Sequence, residues 1–107
     1  MSKVNINIAS DFTTTPGARK KADGDFSGEV FREKFLEDLF KIPNDDRIIE
    51  ITLDGVEGYP TSFLEESFGG LARRYGKERC KKKLKFISVE DNLLIKEIES
   101  YIEKCDD

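Results

Sequence analysis

The chain contains no histidine and no tryptophan. Without an imidazole it builds no Ser-His-Asp or Cys-His catalytic set and no imidazole metal site. Its two cysteines, Cys80 and Cys105, are too few for a thiolate zinc site and form no CxxC pair. Two reduced thiols or one bridge both fit them, and reduced thiols suit an expected cytoplasmic location. No apolar run approaches the ~18 residues of a membrane span, so no membrane partner is expected. The residues Met1 to Val4 lack the apolar core of a secretory signal. Neither GxGxxG nor GxxxxGK[ST] occurs, so those nucleotide cradles are not supported, and no cofactor is expected. What remains is carboxylate, hydroxyl, thiol or lysine chemistry, or no chemistry.

The chain has 107 residues, which suits one domain over residues 1–107. Eight phenylalanines and many Ile and Leu argue for a packed core despite the high charge content. The charge is segregated. Arg73, Arg74, Lys77, Arg79, Lys81, Lys82, Lys83 and Lys85 oppose only Glu78, a local net of +7, so the rest of the −4 chain carries −11. One reading is a basic patch for phosphate, nucleic acid or an acidic protein surface. The other is a helix end, which favours cations, followed by a lysine-blunted strand edge. Cys80 sits among these cations, which would lower a thiol pKa; a semi-buried thiol at a strand start is the plainer account.

Val4, Ile6 and Ile8 alternate with Asn5, Asn7 and Ala9, the pattern of a half-buried strand. Residues 11–28 form a long Thr/Gly/Asp-rich loop with turn signals at Pro16-Gly17 and Asp23-Gly24, with or without a short strand at Arg19-Lys20-Lys21. Ser27 is an N-cap candidate for a helix whose apolar face holds Phe31, Phe35, Leu39 and Phe40. Arg32, Glu33, Lys34, Glu37 and Asp38 are expected to face water. Ile48 to Leu53 reads as a central strand covered on both faces. A second helix is expected over 62–75, with Ser62 and Glu65 as a capping box, and the internal Gly69-Gly70 marks a close approach. Leu84, Phe86, Ile87 and Val89 read as a third strand. Asp91 is a cap candidate for a last helix with Leu94, Ile95, Ile98 and Ile102. Strands alternating with helices predict an α/β fold with a mixed or mostly parallel sheet of about four strands and about three helices.

The most informative segment is Asp54 to Leu71, DGVEGYPTSFLEESFGGL. A strand ends, a loop through Gly58 and Tyr59 turns, and the hydroxyls Thr61 and Ser62 arrive at a helix N-terminus, where an anion or phosphate is stabilised. Ligands and partners of open α/β sheets often meet the carboxyl ends of the strands. The plainer account makes Ser62 a cap, Glu65 and Glu66 first-turn acids complementing the helix dipole, and Asp54 a turn former. A carboxylate hydrolase using Glu65, Glu66, Glu57 and Asp54 is disfavoured, because adjacent helical side chains point about 100° apart.

Phe12 to Arg19, with Thr15, Pro16, Gly17 and Arg19, then Asp23 to Glu29 and Phe31-Arg32, resembles the front half of the STAS-like domains of unknown function, small prokaryotic and phage-associated proteins. Leu53 to Leu71 looks like that family's core motif, and the likeness runs from about residue 4 to residue 100. The resemblance implies a STAS-type α/β fold and a non-enzymatic, regulatory protein-interaction module. STAS domains include bacterial anti-sigma antagonists, which bind a kinase of the histidine-kinase-like ATPase fold and are switched by phosphorylation of a Ser or Thr at the start of the helix after a central strand. Thr61 or Ser62 holds that place, with Pro60 where the STAS acceptor usually follows an Asp. Gly58, Tyr59, Glu65 and Glu66 would complete the surface. The alternative is a nucleic-acid or phosphate-binding module using Arg73, Arg74, Lys77, Arg79, Lys81, Lys82 and Lys83.

Overall fold

Alternating apolar residues at Val4 and Ile6 place one side of the first strand, β1 (Lys3–Asn7), against a core; Ile8 and Ala9, expected to continue the strand, instead begin a helical turn over Ile8–Phe12 that Asn7 caps. The computed structural model describes residues 3–105. β1 pairs in parallel with β2 (Ile48–Thr52), which pairs in parallel with β3 (Leu84–Ile87), in the order β1-β2-β3. Helical residues 28–41 form α1, and residues 61–75 form α2; α3 is Lys77–Lys83 and α4 is Leu93–Glu103. The sheet has three strands among the described residues, and the Lys20 region makes a short 3-10 turn at Lys21–Asp23 instead of a strand.

The register sorts the two faces of the sheet. Val4, Ile49 and Leu84 share one row and Ile6, Ile51 and Phe86 the next, all on the face that joins the helices in the core. The other face carries Asn5, Glu50 and Lys85, then Asn7, Thr52 and Ile87, all exposed or half-buried. The expectation of a central strand covered on both faces is therefore corrected. Period-two alternation along β2, with Glu50 and Thr52 between the isoleucines, leaves one face open.

Ser27 caps α1 as expected, its Oγ accepting from Val30 N–H at 3.2 Å. Asp91 serves α4, its carboxylate accepting from Leu93 N–H at 3.1 Å. The capping box at Ser62 does not form. Pro60 takes the N-cap position, so Ser62 lies inside the first turn, and Glu65 turns to other partners. The expected strand at Leu84–Val89 stops at Ile87, and Val89 is 86% exposed.

Two further corrections concern the helices. Arg32 and Glu37, expected in water, are buried. Each of the two long helices contains a π turn, Arg32–Leu36 in α1 and Glu65–Gly69 in α2. The extra residue of such a turn rotates the downstream side chains by about 100° relative to a regular helix. The basic run continues as helix α3 after Gly76, whose φ of +95° suits glycine, so only Lys85 of its lysines lies on a strand. Cys80 is thus a buried helix residue and not a strand-start thiol, and it is not bridged to Cys105.

The close approach at Gly69-Gly70 is real. A Cβ on Gly70 would stand 2.7 Å from Arg32 Nη1, and one on Gly69 would stand 3.4 Å from the Tyr101 carbonyl oxygen. Gly28 meets the opposite side of the α1–α2 contact, where a Cβ would lie 2.6 Å from the Phe63 carbonyl oxygen.

Candidate functional site

Three segments converge at the carboxyl end of the sheet. The first continues from β2. Asp54 extends its carboxylate to the N–H groups of Val89 and Glu90, each at 2.9 Å, tying the β2 exit to the β3 exit. Gly55, at φ +88°, donates its N–H to Glu90 Oε1 at 3.0 Å. Tyr59 Oη donates to the Leu53 carbonyl at 2.8 Å, closing the 54–60 loop on itself. Burial raises the Tyr59 hydroxyl pKa well above its ordinary value, and the charges of Asp54 and Glu90 add to the rise. Asp54 is thus more than a turn former; it clamps two loops.

The second segment is the first turn of α2. The Pro60 carbonyl accepts from Phe63 N–H at 3.1 Å and Leu64 N–H at 3.2 Å, and no side chain caps this end. Thr61 is exposed and Ser62 half-buried. Thr61 is near enough to Tyr101 to lower the pKa of its hydroxyl, although burial and the Glu97 hydrogen bond raise it overall. Tyr101 Oη donates to Glu97 Oε2 at 2.6 Å.

The third segment is the 11–28 loop, which the structure orders through its own bonds. Gly17 N–H donates to the Phe26 carbonyl and Gly28 N–H to the Ala18 carbonyl, each at 3.0 Å. Phe12 inserts among aromatic rings, with centroids 5.3 Å from Phe31 and 5.4 Å from Phe26. Pro16 is buried, Thr15 is exposed, and Gly17 is half-buried. Glu57 N–H donates to the Thr14 carbonyl at 2.9 Å, so this loop lies beside the 54–60 loop. The two predicted loop regions are therefore neighbours.

Arg19 joins the loop to α2. Its Nη1 lies 2.5 Å from Glu65 Oε1 and 3.4 Å from Glu66 Oε1, and Lys20 Nζ is 3.6 Å from Glu66. Glu65 also accepts from Arg73 at 2.6 Å, and the Arg73 hydrogen bond leads the causes that lower its pKa. Glu66 turns its other oxygen inward to Arg32, whose Nε meets Glu37 at 2.6 Å and whose Nη1 meets the Glu66 carbonyl at 3.0 Å. Burial works against the charge on Arg32, but the hydrogen bonds it donates to Glu37 and Glu66, with the charges of both, outweigh it and raise its pKa. Glu37 completes the chain, 3.3 Å from Tyr75 Oη and 3.9 Å from Arg74.

This pairing settles where the predicted carboxylates go. Glu65 and Glu66 belong to the arginine network, whereas Asp54 and Glu57 line a separate cleft. The four do not gather at one point. It also settles the basic run. Arg73 and Arg74 reach Glu65 and Glu37, Lys77 and Lys81 reach Glu103, and Lys83 is buried against Asp45 and the carbonyls of Asp45 and Arg47. Arg79 donates to the Ile42 carbonyl and stacks over Phe40, 5.3 Å from its centroid. Lys82 and Lys85 have no ion-pair partner among the described residues.

The residues that sequence reasoning did not assign are Arg32, Glu37, Glu97 and Tyr101. The signal for the first pair was present in Gly28 and Gly70, whose missing side chains make room where α1 crosses α2.

These features define a small α/β domain with a three-strand parallel sheet and its loops gathered at the carboxyl end. A family model described as a STAS-like domain of unknown function (DUF4325) matches residues 27–94, more than half of the chain, and the chain belongs to that family. The matched span runs from the Ser27 cap to the first turn of α4 and includes the whole 54–71 segment; the Phe12–Arg19 stretch lies outside it. No curated protein and no solved structure matches the chain. Among the described residues no helix is long and apolar enough to cross a membrane, and no group of three or more acidic or thiol side chains is arranged to hold a metal ion.

Proposed function

We propose that this domain is a non-enzymatic regulatory module that binds another protein through the 54–60 loop, the first turn of α2 and the adjoining 11–28 loop. The observation that carries the reading is the exposed Thr61 hydroxyl at an α2 end that no side chain caps, at the carboxyl edge of a parallel sheet. Gly58, Tyr59 and Ser62 flank it, and Glu65 and Glu66 lie one turn on, fixed by Arg19. The partner favoured by the STAS likeness is a histidine-kinase-like ATPase. In that scheme the γ-phosphoryl of the partner's ATP passes to Thr61 Oγ1, ADP leaves, and the hydroxyl proton goes to the partner's base. Phosphate at Thr61 gains from the helix N-terminus but stands beside the Tyr101–Glu97 pair, so like-charge repulsion changes the surface that the partner meets.

Co-purification with the ATPase-fold partner, using wild type and the Thr61→Asp and Ser62→Asp variants, tests the switch. Loss or reversal of binding in one variant is expected, and identical binding in all three removes it. The nucleic-acid or phosphate alternative draws less support. Five of its seven proposed cations already face a carboxylate within 4.0 Å, and a −4 chain repels polyanions at long range.

A further inference from the structure

Five carboxylates, those of Asp54, Glu57, Glu90, Asp91 and Glu97, line one cleft of about 260 Å³ where the β2 and β3 exits meet α4. None of them forms an ion pair among the described residues. The 87–93 turn that borders this cleft carries the two most exposed large apolar side chains, Val89 at 86% and Leu93 at 66%, with Ile87 at 37% beside them in sequence. The turn is held in place. Asp54 takes the N–H groups of Val89 and Glu90, and Ser88 Oγ donates to the Asp91 carbonyl at 2.6 Å. Exposed apolar side chains on a fixed turn that borders a cleft lined by charge of one sign combine the two elements of a docking site, apolar anchor and complementary charge.

We infer that this cleft and turn dock a segment of a partner protein in which lysine or arginine alternates with aliphatic residues. Charge complementarity selects the occupant. The uncompensated carboxylates attract a basic segment and repel an acidic one or a nucleic acid, while Val89 and Leu93 demand apolar side chains that a purely basic tail lacks. The inference rests on the interaction-module reading and gives the partner a chemistry.

The test is an NMR titration of the ¹⁵N-labelled full chain with three synthetic heptapeptides, one alternating Lys and Leu, one alternating Glu and Leu, and one alternating Lys and Gly. The Lys/Leu peptide is expected to bind saturably, moving the amides of Gly55 to Tyr59 and Ser88 to Leu94, with the other two at least 10-fold weaker. Val89→Ser with Leu93→Ser should weaken it about 10-fold, and both positions are exposed enough to leave the fold intact. Glu57→Gln with Glu90→Gln, which keeps an acceptor for Gly55, should weaken it about 5-fold and flatten its salt dependence. Absent binding, shifts centred elsewhere, equal binding of the Lys/Gly peptide, or unchanged affinity in the variants overturns the inference. The two readings separate cleanly. If Thr61→Asp abolishes partner capture while the Val89/Leu93 variant leaves it intact, the module reading stands and this inference falls. If the Lys/Leu peptide binds at the turn and no ATPase-fold partner is captured, the reverse holds.

Discussion

Replacing Arg32 by Met tests the account of the buried network most severely. Arg32 is fully buried, and its guanidinium is bound to Glu37, to Glu66 and to the Glu66 carbonyl. Methionine spans the same stem without the charge. Removing one partner of a buried ion pair typically destabilises by about 3–5 kcal/mol, because the other charge is stranded. Here the stranded carboxylates keep outward partners. Glu66 retains Arg19 at 3.4 Å and Lys20 at 3.6 Å, and Glu37 retains Tyr75 at 3.3 Å. These are longer and half-exposed and compensate only in part, but because neither carboxylate is left without a partner the loss should fall near the lower figure, about 3 kcal/mol. That is a large share of the ~5–15 kcal/mol of a typical domain. With a urea m-value of about 1.5 kcal/mol/M, the midpoint should drop by about 2 M. The pH dependence adds a second readout. In the wild type burial pushes the Glu37 pKa up, but the hydrogen bond and charge of Arg32, with Arg74 and Tyr75, together outweigh it, so the folded pKa lies below the unfolded one. Its contribution is present above the unfolded carboxylate range near pH 4.3 and is lost as pH falls through the folded pKa. Without Arg32, burial is opposed only by Arg74 and the Tyr75 hydroxyl, so the folded pKa of Glu37 rises from its wild-type position. The variant then loses less stability than the wild type as pH falls, and the two curves converge in acid. Adding Glu37→Gln and Glu66→Gln to the variant should recover at least half of the loss. A midpoint shift below ~0.5 M at neutral pH, or a gap that widens in acid, refutes the reasoning.

Gly28→Ala should destabilise by about 1–3 kcal/mol in urea melts, because its Cβ would meet backbone at 2.6 Å, while Gly58→Ala, with nothing within 4 Å, should stay within about 0.5 kcal/mol. Equal effects at the two sites would contradict the packing argument. Burial, then the neighbouring Cys105, pushes the Cys80 thiol up to about 12, so iodoacetamide at pH 8 should alkylate it at least 100-fold more slowly than a free thiol until urea unfolds the chain. Asp54→Ala should accelerate hydrogen exchange at the Val89 and Glu90 amides at least 10-fold while leaving exchange in β2 unchanged, and protection that persists would show that the turn holds without the clamp.

Local signals predicted the local structure. The Ser27 cap, the alternation in β1 and the aliphatic run of β2 each depend on residues a few positions apart, and each formed. Even the packing at Gly69-Gly70 was legible, because glycine inside a helix needs a reason and close approach is the usual one. The convergence of the 11–28 loop on α2 was legible only as a candidate, since Arg19 reaches Glu65 across 46 positions. The burial of Arg32 was legible only in part. It stands at helical spacing from Gly28, Phe35, Leu36 and Leu39, but the carboxylate that lets a charge be buried there is Glu66, 34 positions away. Ser62 and Glu65 matched the capping pattern, yet Pro60 shifted the helix start and removed the geometry that the pattern needs.

The same distinction applies to charge, where the fold redraws the map that the sequence presents. Linear counting concentrates +7 in residues 71–85, and that segment looks like the charged feature of the molecule. In three dimensions most of it is spent on Glu65 two turns back on the same helix and on Glu37, Glu103 and Asp45, brought from more distant parts of the chain. The acidic residues show the opposite behaviour. Asp54, Glu57, Glu90, Asp91 and Glu97 are scattered over 44 positions with no local excess to notice, and the topology sets them around one cleft without a paired cation. A parallel sheet makes such gathering natural, because the exits of β2 and β3 lie side by side however far apart they are in sequence. Charge left over after internal pairing, and not charge density along the chain, is therefore what an approaching molecule meets, and at this cleft it is negative.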